Sequence, residues 1–380
     1  MTRMRVLLST IGSRGDVQPM LAVALYLRAQ GHAARLCAPP TFEDLVTGFG
    51  LQFVPVGHDL RQGPRYVPGG AAATAAAQFA TLREAARDCD AIVGCAAMQI
   101  AAHSIAEFYG IPYHYAAYVP VALPSSRHSP LDQGTWEADA QRWNATWLTG
   151  LNAARVALGL RPVADVRSHV FTNRPLLAAD PTLAPWPTDP ENDVLQTGAW
   201  LWRDSRPLPN ELETFLDAGP PPICFGFGSM TASRASGPVT VAAARALGFR
   251  AIVLSGWADL APPQASPDCL VVGEVNQQSL FRRVAAVVHH GGAGTTTAAA
   301  VAGAVQVVVP HEYDQPYFGK RVSDLGVGTM HSADEPTAAS LAAALDAVLA
   351  PDAVARARSL AVAMRTDGTA VAAREIVGAG

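Results

Sequence analysis

The sequence predicts an α/β protein of two doubly wound parallel sheets, and three observations carry that prediction. Short apolar, β-branched runs alternate with helical stretches along the 380 residues. The alternation halts in a proline-rich stretch near the middle and then restarts, and in each half a strand breaks at glycines before a helix resumes. At 49% hydrophobic and 16% charged, a chain of this length can bury two cores rather than one.

In chain order, residues 5–10 form an apolar strand that runs into Ile11-Gly12-Ser13-Arg14-Gly15-Asp16-Val17-Gln18-Pro19. A helix follows, with Met20, Leu21, Ala24, Leu25 and Leu27 on one face, and it stops at Gly31. Asp16 has two readings. It is an ordinary N-cap before a helix whose early Pro19 lacks only an N–H that would be unpaired anyway, or it is a carboxylate offered to a ligand. Strands are predicted at 33–37, 51–56, 91–94 and 111–115, with helices at 41–47, 72–88 and 100–109 between them. Residues 118–145 break the pattern with Pro120, Pro124, Pro130, Trp136 and Trp143, so a long irregular segment is expected, either functional or packing filler.

The boundary shows as a composition shift. Prolines 181, 185, 187 and 190 precede a strand near 194–197, and residues 203–218 read as an exposed linker. The expected divisions are therefore an N-terminal domain over 1–202, the linker, a C-terminal domain over 219–362 and a terminal segment over 363–380. In the second half, strands are predicted at 223–227, 251–254, 270–272 and 305–309 and helices at 239–247 and 369–377. No sequence repeat links the halves, so their likeness is one of architecture.

The stretch Val287-Val288-His289-His290-Gly291-Gly292-Ala293-Gly294-Thr295-Thr296-Thr297 describes a buried strand, a tight turn and a helix N-terminus. Free amides and aligned peptide dipoles make such an end an anion site, to which Thr295, Thr296 and His290 add donors. The alternative is that Gly291, Gly292 and Gly294 merely permit the turn. A second strand then delivers Asp314-Gln315 onto the following loop, the place where ligands sit in open α/β sheets.

Composition excludes several classes. Net charge is −4 without a basic cluster, which disfavours nucleic acid. No apolar run reaches the ~18 residues of a membrane span, and the N-terminus carries no signal-peptide pattern, so a cytoplasmic protein is expected. Cys37, Cys89, Cys95, Cys224 and Cys269 are scattered, which suits reduced buried thiols better than disulfides or zinc. Lys320 is the only lysine and Arg321 follows it, so there is no GK[ST] phosphate loop.

At residues 287–297 and 310–316 the sequence resembles the donor-binding segment of the UDP-glycosyltransferase superfamily, which has the GT-B fold of two facing Rossmann-like domains. It looks most like the bacterial natural-product branch that includes the vancomycin-type glycopeptide glycosyltransferases, from about residue 4 onward. The resemblance implies that His290 and Thr295, with Gly292 and Gly294 in the turn, hold a donor diphosphate, and that Asp314 and Gln315 bond the sugar hydroxyls. It further implies Ser229 on the donor side, and a base-binding segment over 273–277 that includes Val275 and Gln277. In the Ser-Arg-Gly-Asp loop it makes Asp16 the catalytic carboxylate, and it places Gly12, Tyr118 and Trp136 on the acceptor side. It returns the final helix to the N-terminal domain.

The implied reaction is an inverting displacement at the anomeric carbon of a UDP- or dTDP-hexose or deoxyhexose by a hydroxyl of a hydrophobic aglycone. It needs no cofactor beyond the donor and no metal, and a monomer is expected. Two other readings stay open: a sugar-nucleotide epimerase or hydrolase on the same fold, and a non-catalytic helper of transferase ancestry. The short stretch over 57–81 departs from the longer glycopeptide-type loop, which argues against a heptapeptide acceptor.

Overall fold

Parallel pairing organises both halves of the chain. The computed structural model describes residues 3–60, 70–96, 98–131, 134–189, 192–228, 237–256, 266–331 and 336–378. Chain contacts divide it into two units, Met1–Pro181 with Pro185–Trp202 and Arg365–Gly380, and Thr182–Ala184 with Arg203–Met364.

In the N-terminal unit the strands are β1 (Arg5–Thr10), β2 (Ala33–Ala38), β3 (Gln52–Pro55), β4 (Ala91–Cys95), β5 (Tyr113–Ala117), β6 (Leu176–Leu177) and β7 (Leu195–Gln196). They line up as β3-β2-β1-β4-β5-β6-β7. The chain starts mid-sheet, winds to one edge, and returns to continue on the other side of β1. The strand order therefore reverses between β1 and β4, where open α/β sheets bind ligands at the carboxyl ends of their strands. The C-terminal unit repeats the plan with β8 (Ile223–Gly226), β9 (Ala251–Leu254), β10 (Cys269–Val272), β11 (Ala286–His289), β12 (Val305–Val308) and β13 (Gly328–Met330), in the order β10-β9-β8-β11-β12-β13. Its reversal falls between β8 and β11.

Burial explains why these runs are strands. β4, β8, β9, β11 and β12 are buried at every residue, the pattern of a parallel sheet covered on both faces, and apart from His289 and Gln306 they carry no polar side chain, while the edge strands β3 and β13 are half-exposed. All five cysteines are free and buried.

Three expectations shift. β5 begins at Tyr113 because the preceding helix closes on Gly110 in the left-handed region (φ 65°) and Pro112, with no N–H, contributes only its carbonyl to Ile92. The segment 118–145 is irregular only in its first part, since a 22-residue helix runs from Trp136 to Ala157. Thr135 caps it, and Trp147, Gly150, Leu151 and Arg155 form its buried face, so Trp136 and Trp143 belong to a helix rather than to a loop. Residues 203–218, read as a linker, contain the helix Asn210–Asp217, whose Leu212 and Leu216 join Leu208 in the C-terminal core. Two leucines at i and i+4 among acidic residues suffice for one buried stripe.

The terminal helix Gly368–Gly378 packs on the helix Arg14–Ala29 within the N-terminal unit. Its start presses so closely on Gly198 that a Cβ at Gly368 would lie 2.4 Å from the Gly198 carbonyl carbon. The Arg365 amide donates to Asp180 at 2.7 Å just before it. No single helix among the described residues is long and apolar enough to cross a membrane.

Candidate active site

Each unit carries one strand–turn–helix junction at its switch point, and the two are capped differently. In the N-terminal unit the helix Arg14–Ala29 follows β1 with Ser13, in extended backbone, as its N-cap. Asp16 is the third helical residue and closes a capping box: the Ser13 amide donates to Asp16 Oδ2 at 2.7 Å, and the Ser13 hydroxyl lies 3.2 Å from the same oxygen. The reading of Asp16 as the N-cap itself is thus corrected by three positions. Pro19 consequently lies inside the helix, where its missing N–H leaves the Gly15 carbonyl without the usual donor.

The carboxylate is held from below as well. A Cβ at Gly12 would lie 2.2 Å from Asp16 Oδ2, so only glycine allows the carboxylate to fold back over the loop. The Tyr118 hydroxyl donates to the Asp16 carbonyl at 2.9 Å. Burial, with smaller contributions from Cys95 and Asp16, pushes the Tyr118 phenol far above its usual range and keeps it a donor. Ala96, just after β4, adopts φ 71°, a left-handed conformation unusual for a residue with a side chain.

Trp136 is pinned by its surroundings. Its indole N–H is shared between the carbonyls of Ser125 (2.9 Å) and His128 (2.8 Å), and the Arg167 guanidinium carbon lies 5.4 Å from a ring centroid. The side chain ties the loop 125–128 to the helix start. Two other histidines of the N-terminal unit are engaged elsewhere: His114 is buried near the N-terminal end of β5, away from the turns, and His128 packs edge-on against Trp136 and Trp186.

In the C-terminal unit, β11 ends at His289 and the helix Ala293–Ala302 starts after an N-cap Gly292 that has no side chain to offer. The His290 ring sits between two glycines: a Cβ at Gly292 would lie 2.6 Å from its Nε2, and one at Gly228 3.1 Å from its Cε1. Burial first, and His311 second, bring the His290 imidazole down to about 4, so it is a neutral donor at neutral pH. Its Nδ1 is buried without a hydrogen-bond partner among the described residues. Gly294 faces open space, and the Thr295 hydroxyl bonds no described residue. Thr296 differs from its expected donor role: its hydroxyl is committed to the Gly292 carbonyl at 2.9 Å.

The second loop closes over this junction. Asp314 Oδ2 accepts from the Ala293 amide at 3.0 Å, and Gln315 Oε1 accepts from the amides of His311 (2.7 Å) and Glu312 (3.2 Å). Tyr313, just before Asp314, holds φ 57°. Val275 is buried in the core, while Gln277 opens the short helix Gln277–Leu280, which packs against the helix Ala293–Ala302. Ser229 lies outside the described residues, as does part of the 57–81 stretch.

Sequence reasoning assigned no role to three residues here. Ser13 was legible, because Ser-x-x-Asp before an apolar run is a capping-box pattern. Asn276 caps the helix Gln277–Leu280 and donates to the carbonyls of Asp204 and Arg206, both at 2.9 Å, through contacts some 70 residues apart that no local pattern reveals. His289, buried at the strand tip, bonds Gln306 Oε1 (2.9 Å) and the Gly291 amide (3.0 Å).

Among the described residues one group has metal-ligand spacing: His103, Glu107 and His169 bring ligand atoms within 4.8 Å of one another. The buried Arg155 guanidinium already supplies a cation there. It donates to Glu107 and, at 2.8 Å, to Ser104, and its Nη1 lies 3.2 Å from His169 Nε2.

Comparison with known proteins identifies the family. Residues 6–125 match the family model of the glycosyltransferase family 28 N-terminal domain, and residues 249–378 that of the erythromycin biosynthesis protein CIII-like C-terminal domain. Glycosyltransferase GtfE of Amycolatopsis orientalis is 45% identical, with 97% of this chain and 96% of that protein covered. The vancomycin aglycone glucosyltransferase of the same organism is 45% identical, with 99% and 98% covered. The crystal structure of the glycotransferase of kitacinnamycin, 20% identical, superposes with a TM-score of 0.74 and covers 99% of each chain, which shows a shared fold. With identity of this level sustained from end to end, the chain is a GT-B glycosyltransferase and belongs to the UDP-glycosyltransferase superfamily, in the branch of the vancomycin-type glycopeptide enzymes.

Proposed function

We propose that this glycosyltransferase moves a hexose or deoxyhexose from a UDP- or dTDP-sugar to a hydroxyl of a hydrophobic natural-product aglycone, with inversion. One observation carries the reading. The helix Ala293–Ala302 begins at a glycine cap with no capping side chain, beside a neutral imidazole and the unbonded Thr295 hydroxyl, an arrangement that leaves donors for a diphosphate. In this scheme the acceptor oxygen attacks the anomeric carbon and the bond from that carbon to the diphosphate breaks. The electron pair leaves on the nucleoside diphosphate, whose developing negative charge is met by the helix amides near Gly294 and Thr295 and by the His290 N–H. The acceptor proton passes to Asp16, whose carboxylate oxygen is already oriented by the Ser13 amide.

Asp314 and Gln315 serve the sugar. Loop amides fix the Gln315 side chain through its carbonyl oxygen, and Asp314 is held by the first amide of the helix, so both side chains sit in set positions beside the helix start that binds the diphosphate. The similarity to an aglycone glucosyltransferase supports glucose as the first donor to try and an antibiotic aglycone as the acceptor class. The chemistry calls for no metal or other cofactor, and a cytoplasmic monomer completes the reading.

The test is nucleotide release from a panel of UDP- and dTDP-sugars, with and without aglycones. Release that depends on an aglycone, with a glycoside product of inverted anomeric configuration, is expected. Equal release without any aglycone would mean a donor-only enzyme, and no release with any pair would point to the helper reading.

A further inference from the structure

His289 is an expensive residue to keep where it is. It ends β11 with its side chain fully buried, and its partner Gln306, also fully buried, lies on β12 with its Nε2 lacking a partner among the described residues. Two apolar side chains would fill the same space without that cost. The hydrogen bonds show what the pair accomplishes. Gln306 Oε1 can only accept, so at 2.9 Å it fixes the proton of His289 on Nε2. Nδ1 then carries the lone pair, and it receives the Gly291 N–H at 3.0 Å.

Gly291 is the hinge of the turn. It takes φ 93°, and a Cβ there would lie 2.5 Å from Val308 Cγ1 and 2.9 Å from the Gln315 carbonyl oxygen. Its backbone is therefore clamped between β12 and the Asp314-Gln315 loop, with the His289 bond as the directional restraint. Gly292 and the first helical amides follow directly.

We propose that His289, held in its tautomer by Gln306, is a positioning residue for the donor diphosphate, acting through the Gly291 amide to aim the glycine turn and the helix N-terminus. This rests on the donor-binding role assigned above to that turn. The imidazole, which burial brings down to about 3, stays neutral over the working range, so the bond persists wherever the enzyme folds.

The proposal separates two substitutions of similar size. In His289→Asn the side-chain carbonyl falls near the place of Nδ1 and can still accept from Gly291. In His289→Leu it cannot. Donor KM and the Kd of UDP or dTDP are expected to rise at least tenfold in His289→Leu and less than threefold in His289→Asn, with acceptor KM unchanged in both. Equal losses in the two variants, or no loss in the leucine variant, would overturn the proposal. Two-bond 1H–15N spectra of the histidine-labelled wild-type protein give a readout that needs no ligand: a proton on Nε2 of His289 supports the proposal, and a proton on Nδ1 refutes it. A wild-type protein that binds no nucleotide, yet shows the Nε2 proton, would sink the donor-binding role rather than the tautomer.

Discussion

The two switch-point turns start from one plan and differ in where their charge comes from. At the N-terminal turn Asp16 of the helix itself folds back to accept from the Ser13 amide, so the junction arrives with an anion of its own built in. At the C-terminal turn the cap is Gly292, the box is missing, and among the described residues the Ala293 amide is the one taken by a side chain, the Asp314 carboxylate of another loop. The first turn holds a carboxylate of its own helix, and the second borrows one for a single amide and leaves its other donors for a negative charge brought by a ligand. A parallel sheet thus supplies two like sockets, and a few side chains decide whether each gives or receives charge.

The largest expected effect comes from emptying the first socket of its charge while keeping its shape. Asp16→Asn retains an oxygen for the Ser13 amide but loses the proton acceptor, so turnover should fall ~10²–10⁴-fold with little change in melting temperature. Near-normal steady-state turnover would reduce Asp16 to a helix-end device. The second socket is weakened by His290→Ala, which removes one donor to the leaving group. A loss of ~10²–10³ in kcat/KM for the donor is expected, and unchanged kinetics would make the ring a filler between Gly228 and Gly292.

A third variant tries to turn one socket into the other. Gly292→Ser gives the second helix the capping residue of the first, but its Cβ meets His290 Nε2 at 2.6 Å, so donor KM should rise about tenfold by the scale of one lost contact of ~1.4 kcal/mol. Titration of the free and variant enzymes with nucleotide checks this. Acid sharpens the contrast. His289 and His290 fall to about 3 and about 4 when folded, below the ~6.5 of an unfolded histidine. Below that value the unfolded chain binds the extra protons, so each site withdraws about 1.4 kcal/mol of stability per pH unit until its folded pKa is reached. Denaturant melts between pH 7 and 4 should therefore show a shallower acid loss in the His289→Asn/His290→Asn variant than in the wild type. Smallest is Ser13→Ala, which removes one cap hydroxyl and should cost ~1 kcal/mol of stability in chemical denaturation.

The sheet architecture was legible because buried parallel strands leave mostly apolar, β-branched runs, as in Val287-Val288 and, around Gln306, Val305 to Val308, that need no partner to be recognised. The helix from Trp136 was hidden for the converse reason. Its buried face is only Trp147, Gly150, Leu151 and Arg155, a weak stripe in which an arginine takes an inward place, and the preceding prolines drew the eye toward a loop. At the candidate site, His290, Thr295 and Asp314 stood out by chemistry and spacing. The pairings of His289 with Gln306, and of Asn276 with the backbone near 204–206, arise only when distant segments meet. A buried polar residue reads as an oddity in sequence until its partner is known.

The distribution of the thiols gives each unit a reporter of its own opening. Cys37, Cys89 and Cys95 belong to the N-terminal unit and Cys224 and Cys269 to the C-terminal one, and all five are sealed from solvent. Burial pushes Cys37 up to about 12 and Cys89 to about 11, so the reactive thiolate is scarce while the sheets are closed. A maleimide added in a short pulse during gradual denaturation would mark each cysteine as its own sheet comes apart. Peptide mapping of the marks would then give two separate melting curves from one unmodified chain, and show whether the halves unfold together or in turn.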